Sequence, residues 1–438
     1  MSHRATSMPT ESVAENMTLD RISALPDELL SQILALIPTK DVVGTMVLSK
    51  RWHSLWTMVP KLKFDSLKEG TLLGSFTELV NRSLLSNKFP VLESLCLRID
   101  SGSVRSEDMR IWVRIAVERR VRELDICAYD YEYDYEDGED GILLPSSLYT
   151  CETLERLILR DYILVDVPSR CCFRSLKTLH LMGVRFKDFE CFHGLLSSCP
   201  VLEDLTVEWY SDVYEIYAIE MPSLQRLSAR NMCGGYGGLV IDTPSLKYLH
   251  IVDYTGNDFV LVENMPEVVE AKVTVIPPLK LLGSLISVKR LSLAVQDVLL
   301  PSDDDMVFNQ LVHLELRICG DDWGDLFAYM LEASPNLRVL KLKNERFFYM
   351  VPRISWKRPV DVPPCLFSSL ETFQWKRYIG SEPEKEVAEY ILTNATCLKM
   401  VSICLKGNLA LEEKHRIQQD LASMPWGSSS CELIILDD

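Results

Sequence analysis

The sequence predicts an α/β fold: a repeat solenoid with a small all-α head at residues 20–66 and an α+β cap at residues 359–438. Three observations lead there. A pattern of the form LxxLxL, with conservative apolar swaps, recurs thirteen times between Leu92 and Leu398. Ahead of it, residues 20–65 pack three short helical patterns and two tryptophans into one small unit. Beyond Leu337 the repeat loosens into alternating strand and helix patterns.

The repeats begin at Leu92, Val121, Leu154, Leu176, Leu202, Leu224, Leu246, Val268, Val288, Leu311, Leu337, Leu370 and Leu398. From Leu154 to Leu337 the steps run from 20 to 26 residues, the range of leucine-rich repeats. Several copies open on proline, as in PVLESL, PVLEDL, PSLQRL, PSLKYL and PNLRVL. Each xLxLx stretch reads as a short strand with inward leucines, and its return segment has no way to bury an apolar side alone. Neighbours must therefore stack. Residues 67–358 are assigned to this array.

The head opens at Leu25-Pro26-Asp27-Glu28. Proline suits the first turn of a helix, and two acids face the positive end of its dipole. Leu29, Leu30, Ile33, Leu34 and Ile37 follow at helical spacing, and Pro38 ends the segment. Thr39 can cap a second helix carrying Val42, Val43, Met46 and Val47. Gly44 inside it costs about 1 kcal/mol relative to alanine. Ser49 can cap a third, with Trp52, Leu55, Trp56 and Val59 on one stripe. A unit this small holds more apolar surface than it can bury, so part of that surface calls for a partner.

LPDELL at 25–30, Ile37-Pro38, Thr39-Lys40-Asp41 and Leu48-Ser49-Lys50-Arg51-Trp52 together resemble an F-box. The resemblance implies docking on a Skp-type adaptor and, through it, membership of a cullin–RING ubiquitin ligase. It places Leu25, Pro26, Leu29, Ile33, Leu34, Val47, Leu48 and Trp52 at adaptor-facing or adaptor-supporting positions. His53 stands where relatives more often carry a basic residue. At the other end, Cys365-Leu366, Ser368-Ser369-Leu370, Trp375, Tyr378, Gly380 and Tyr390-Ile391-Leu392-x-Asn394-Ala395 resemble the FBD region of plant F-box/leucine-rich-repeat proteins. Read from its residues alone, that region closes the stack with a helix on Val387, Ala388, Ile391 and Leu392, a strand at 398–405, a helix near 409–423 and a final strand at 431–436.

Composition narrows the function. With 438 residues, 47% apolar and 25% charged, the chain has ordinary globular composition and room for a long array. No apolar run approaches the roughly 18–20 residues of a membrane span. Residues 1–19 lack a signal-peptide core and read as a disordered leader, so the expected address is cytoplasm or nucleus. A net charge of −17 argues against nucleic-acid binding. The thirteen cysteines include no CxxC pair and read as reduced thiols in apolar strands. Residues 130–140, DYEYDYEDGED, hold seven acids in eleven positions but lack EF-hand spacing, and read as a solvated loop. The glycine run at 234–238 has no following Lys-Ser/Thr and reads as a turn, and Asp303-Asp304-Asp305 as a loop. Neither a cofactor nor a metal is expected. The seven histidines show no ligand or nucleophile spacing, and no catalytic site is proposed.

Third, fifth and seventh positions of each repeat should point to the concave face. Basic residues there are Arg98, Arg156, Arg160, Arg226, Arg230, Lys272, Arg290, Arg317, Lys341, Lys343 and Lys376. Acidic ones are Glu123, Asp125, Asp204, Glu208, Glu270 and Glu315. A basic excess on an acidic chain admits two readings. The bases pair with acids of neighbouring repeats, or they receive an acidic or phosphorylated target segment, with Arg156, Arg160, Arg226 and Arg230 as first candidates. The expected function is thus target recognition for an SCF-type ubiquitin ligase. The alternative is a repeat scaffold whose head no longer docks.

Overall fold

A computed structural model describes residues 22, 24–69, 73–100, 104–129, 141–210, 215–232, 237–254, 260–275, 280–295, 306–318, 323–345 and 356–437. The leader at 1–19, the acidic segment 130–140, positions 234–236 of the glycine run and the aspartates at 303–305 lie outside the described residues.

Fifteen strands form one parallel sheet in chain order. They are β1 (Lys61–Asp65), β2 (Ser94–Asp100), β3 (Glu123–Tyr129), β4 (Arg156–Asp161) and β5 (Thr178–Met182). Next come β6 (Asp204–Trp209), β7 (Arg226–Asn231), β8 (Tyr248–Asp253), β9 (Glu270–Val275) and β10 (Arg290–Val295). The last five are β11 (His313–Ile318), β12 (Val339–Asn344), β13 (Thr372–Tyr378), β14 (Met400–Leu405) and β15 (Glu432–Asp437). Each of the thirteen repeats found in the sequence supplies one strand, which starts two residues after the repeat's first position.

Register explains the motif. Leu205 and Val207 of β6 stand beside Leu227 and Ala229 of β7, which stand beside Leu249 and Ile251 of β8. All six are buried, as are the first-position residues Leu202, Leu224 and Leu246 beneath them. Fourth and sixth positions therefore build continuous apolar rows, and the core runs unbroken from Leu62 to Leu421. Return segments form the second layer. Toward both ends they carry helices, such as Leu73–Ser86, Ser106–Glu118, Trp323–Glu332 and Glu382–Asn394, and in the middle they form two three-stranded parallel sheets: Ile142–Leu143, Ile163–Val165 and Arg185–Phe186, then Ile216–Glu220, Gly238–Asp242 and Val260–Asn264. Burial pushes the Cys199 and Cys365 thiols up to about 12, as expected of inert core cysteines.

The helical head merges with this sheet. Its helices are α1 (Asp27–Leu34), α2 (Thr39–Gly44) and α3 (Trp52–Leu55). Leu30, Leu34, Val42, Trp52, Leu55 and Val59 make a small core of their own. Two caps expected from the sequence do other work. Thr39 lies inside α2, and its buried hydroxyl accepts a hydrogen bond from the Lys63 amide at 2.8 Å. Ser49 lies a full turn before α3 and offers its carbonyl to the His53 amide. Both ends of the joint are then tied: Asn87 Nδ2 donates to the Val59 carbonyl at 2.8 Å, and the Lys88 amide to the Thr57 carbonyl at 2.6 Å. Residues 61–65, counted with the head from sequence, are the first strand of the sheet.

The C-terminal region continues the repeat. β13 and β14 pair in sequence, with an irregularity at Lys376/Tyr378 where Arg377 adopts φ 58°. Glu384 is fully buried in the helix Glu382–Asn394. Its carboxylate accepts from the amides of Ile379 and Ser381 and from Asn344 Nδ2 at 2.7 Å. Trp375 packs edge-on against Tyr378 at 5.0 Å, and Trp356 against Tyr390 at 5.7 Å. The FBD-like residues Cys365, Leu366, Leu370, Trp375, Tyr378, Tyr390, Ile391, Leu392 and Ala395 are all core.

Two glycines should respond in opposite directions. Gly380 sits at φ +69°, and a Cβ there would lie 2.6 Å from Ile417 Cγ1. Gly380→Ala should cost at least about 1–2 kcal/mol in denaturant unfolding, because a left-handed alanine is strained and the helix Leu411–Ser423 must shift. Gly44 closes α2 at φ −56° with open space around it. Gly44→Ala should raise stability by about 0.4–1 kcal/mol through the unfolded chain. Equal effects of the two substitutions would contradict this placement.

Candidate functional site

Two surfaces can carry binding: the outer side of the head and the concave face of the sheet. In the head, helical spacing implied one apolar stripe along α1, and the structure divides it in two. Leu30 and Leu34 point into the head core. Leu29 and Ile33 point out, 45% and 48% exposed, and Leu36 continues their line at 82%. Val47 is 87% exposed, with Leu48 also open. Leu36 escaped the sequence reading although it follows Leu29 and Ile33 at i+7 and i+3.

Of the eight positions assigned to the adaptor, Pro26, Leu29, Ile33, Val47 and Leu48 are therefore exposed. Leu25 is half-buried against the head core. Leu34 and Trp52 are buried core residues and can act only as support. Arg51 locks the start of α1, with Nε donating to Asp27 Oδ1 at 2.7 Å and a terminal nitrogen to the Leu25 carbonyl.

On the sheet, alternation puts third, fifth and seventh positions outward, as in β11, where buried and part-exposed residues alternate strictly. The four arginines singled out from sequence differ in their surroundings. Arg160 reaches diagonally to Asp125 Oδ1 at 2.5 Å. Arg230 stands directly across from Glu208 and pairs with it at 3.4 Å. Arg226 approaches Asp204 at 3.8 Å and lies 4.5 Å over the Tyr248 ring. Arg156 is exposed and, among the described residues, makes no ion pair. Three of the four are thus held by the preceding repeat, as in the simpler of the two sequence readings. Arg290 follows the same rule, pairing with Glu270 at 3.3 Å.

Arg317 does something else. With alanine at the seventh position of β10, its guanidinium passes over Ala294 and hydrogen-bonds Thr274 of β9. It also pairs with Glu345 at 3.2 Å, which Lys343 Nζ meets from the other side at 2.5 Å. Arg317 is therefore a brace across three strands. The missed signal was the small residue between two polar ones.

Lys272, Lys341 and Lys376 make no ion pair among the described residues. Their field is felt by the histidines beside them. Burial first, then Lys272, Arg230 and Arg317, pulls His250 down to about 4; burial, Lys341 and Arg290 also lower His313. His250 Nδ1 lies 3.2 Å from Ser228 Oγ, and no acid among the described residues completes a relay. Among the described residues no group of three or more His, Cys, Asp or Glu side chains could hold a metal ion.

A pH test follows from His250. Its folded value lies below the ordinary 6.5, so its contribution is present above that pH and is lost as pH falls toward about 4. The melting-temperature difference between wild type and His250→Gln should shrink as pH drops from neutral through this window. A constant difference would show that the imidazole is not held neutral.

Comparison with known proteins matches these parts one by one. An F-box domain model covers residues 22–64, an FBD model 358–403, and between them a model for the LRR repeats of FBD-associated F-box protein At5g56370 covers 109–299. Among Arabidopsis thaliana proteins, F-box/FBD/LRR-repeat protein At5g56420 is 46% identical, over 95% of this chain and 98% of its own length. F-box/FBD/LRR-repeat protein At4g26340 is 41% identical, and FBD-associated F-box protein At5g56370 is 42% identical. Each of those two is matched over 95% of this chain and its own full length. The helical head, the parallel repeat sheet and the aromatic closing repeats are the parts of one family, and the chain belongs to the plant F-box/FBD/leucine-rich-repeat proteins.

Proposed function

We propose that this chain is the target-recognition subunit of an SCF-type cullin–RING ubiquitin ligase, working in the cytoplasm or nucleus. Its head docks on a Skp-type adaptor, and its concave sheet face holds a protein target. The observation that carries this reading is the uncovered apolar side of the head. Leu29, Ile33, Leu36, Val47 and Leu48 face outward although the head has a closed core of its own. Burying one such side chain fully is worth about 1.5–3 kcal/mol before binding costs, so a matching partner gains from covering them. Ubiquitin transfer is then the work of partner subunits. This chain contributes proximity, and no catalytic group is assigned to it.

The test must separate docking from folding. Trp52→Ala is a poor probe, because emptying a head core of six residues costs on the order of 3–5 kcal/mol. Leu29→Asp combined with Val47→Asp leaves that core intact. Wild type should capture purified Skp-type adaptor in a pull-down, and the double variant should lose most capture while keeping its thermal melting curve. Absence of capture by wild type would favour the scaffold reading.

A further inference from the structure

The concave face is not uniform in charge. Across β4 to β7 three of its four arginines are neutralised from within, Arg160 by Asp125, Arg226 by Asp204 and Arg230 by Glu208, and Arg156 stands exposed at the edge. From β9 to β13 the balance changes. Fifth positions read Lys272, Ser292, Glu315, Lys341 and Gln374, and seventh positions Thr274, Ala294, Arg317, Lys343 and Lys376. With third positions included, six cations among the described residues, Lys272, Arg290, Arg317, Lys341, Lys343 and Lys376, face three carboxylates, Glu270, Glu315 and Glu345, and Arg290 takes up Glu270. Glu345 is taken up by Arg317 and Lys343. Glu315 accepts from Ser292 Oγ at 3.5 Å and lies between the lysines.

We infer that the strip from β9 to β13 is the target-binding subsite of the concave face, and that it takes an extended acidic segment of a partner protein through Lys272, Lys341 and Lys376. The inference rests on the proposed role of the face and gives it a substrate class. Spacing chooses between acidic and phosphorylated ligands. Strands lie about 4.8 Å apart, so Lys272 on β9 and Lys341 on β12 are roughly 14 Å apart. Lys376 lies one strand further. A single phosphate needs a convergent cluster, usually with arginine's bidentate fork. Flexible point charges set on separate strands suit separate carboxylates. An extended chain advances at most about 3.3–3.6 Å per residue, which places the acids that meet Lys272 and Lys341 about four residues apart, with Lys376, at a seventh position, adding charge beside Lys341.

The experiment uses the full chain and a short fluorescein-labelled peptide in a serine/glycine background, with glutamates four residues apart, read by fluorescence anisotropy. Wild type should bind it more tightly than a composition-matched peptide with the glutamates clustered, and more weakly as salt rises. Lys272→Glu with Lys341→Glu and Lys376→Glu should weaken binding at least about tenfold. Arg156→Glu should leave it near the wild-type value, and unchanged melting curves exclude misfolding. The inference is overturned by any of three results. Wild type shows no saturable binding up to about 1 mM, the weak end of specific affinity; a single phosphoserine in the same background binds better than the spaced glutamates; or single-stranded RNA outcompetes both. Adaptor capture measured on the same preparations reports separately on the head, so either end of the proposal can fail alone.

Discussion

Burial of the fourth- and sixth-position side chains between adjacent strands is the interaction on which the rest of the molecule depends. A lone repeat would leave its two inward residues and its first-position residue half in water. Stacked in register, as Leu314 and Leu316 stack on Leu340 and Leu342, they are buried. The parallel ladder of hydrogen bonds asks nothing of side-chain identity. Outward positions are consequently free to carry any chemistry, and here they carry arginine, lysine, histidine, serine and glutamate. Fold and recognition are separated by a single alternation of side chains.

Rows of this kind have two ends, and each must be closed. At the N-terminal end β1 presents Leu62 and Phe64 to the stack, while Val59, one step earlier, belongs to the head core. The head is therefore built onto the solenoid through one short strand, with Thr39, Asn87 and Lys88 bridging the joint. At the C-terminal end Ile417 and Leu421 of the helix Leu411–Ser423 are buried against the last repeats, and Lys414 ties that helix to Asp437 on β15 at 2.9 Å. Head and sheet are thereby joined directly, with no linker between them.

Much of this was legible from the residues because leucine spacing is a direct image of the stack. Thirteen first positions gave thirteen strands. Two strands had no such image. β1 hides inside the head motif, since Val59-Pro60-Lys61-Leu62-Lys63-Phe64 satisfies the repeat but also the head's third helical stripe. For β15 the first position is Ser430, so only the alternation of CELIIL revealed a strand. Within α1, spacing showed helix but not which half of the apolar residues faced inward, because that depends on where α3 packs. Trp52 and Leu34 look like surface in a motif and are core in space. Nor does a list of outward bases say which are spent. Arg230 at a seventh position and Lys272 at a fifth both point outward, yet one faces Glu208 across the strand gap and the other faces His250 and Ser292.

That contrast reflects the chemistry of the two side chains. Arginine's planar, weakly hydrated fork can satisfy a carboxylate and a backbone carbonyl at once, so a half-buried arginine tends to become structural, as Arg317 does. Lysine keeps a compact hydrated charge on a flexible stem and remains available at the same depth. A net charge of −17 repels an acidic ligand at a distance. A basic strip lining the inside of the array reverses that field only for a segment able to enter it, and it acts most strongly at short range because ordinary salt screens beyond about 8–10 Å. Selectivity then comes from entry and spacing together: a segment must be extended to reach the strip and must carry its acids at the interval of the lysines to gain from it.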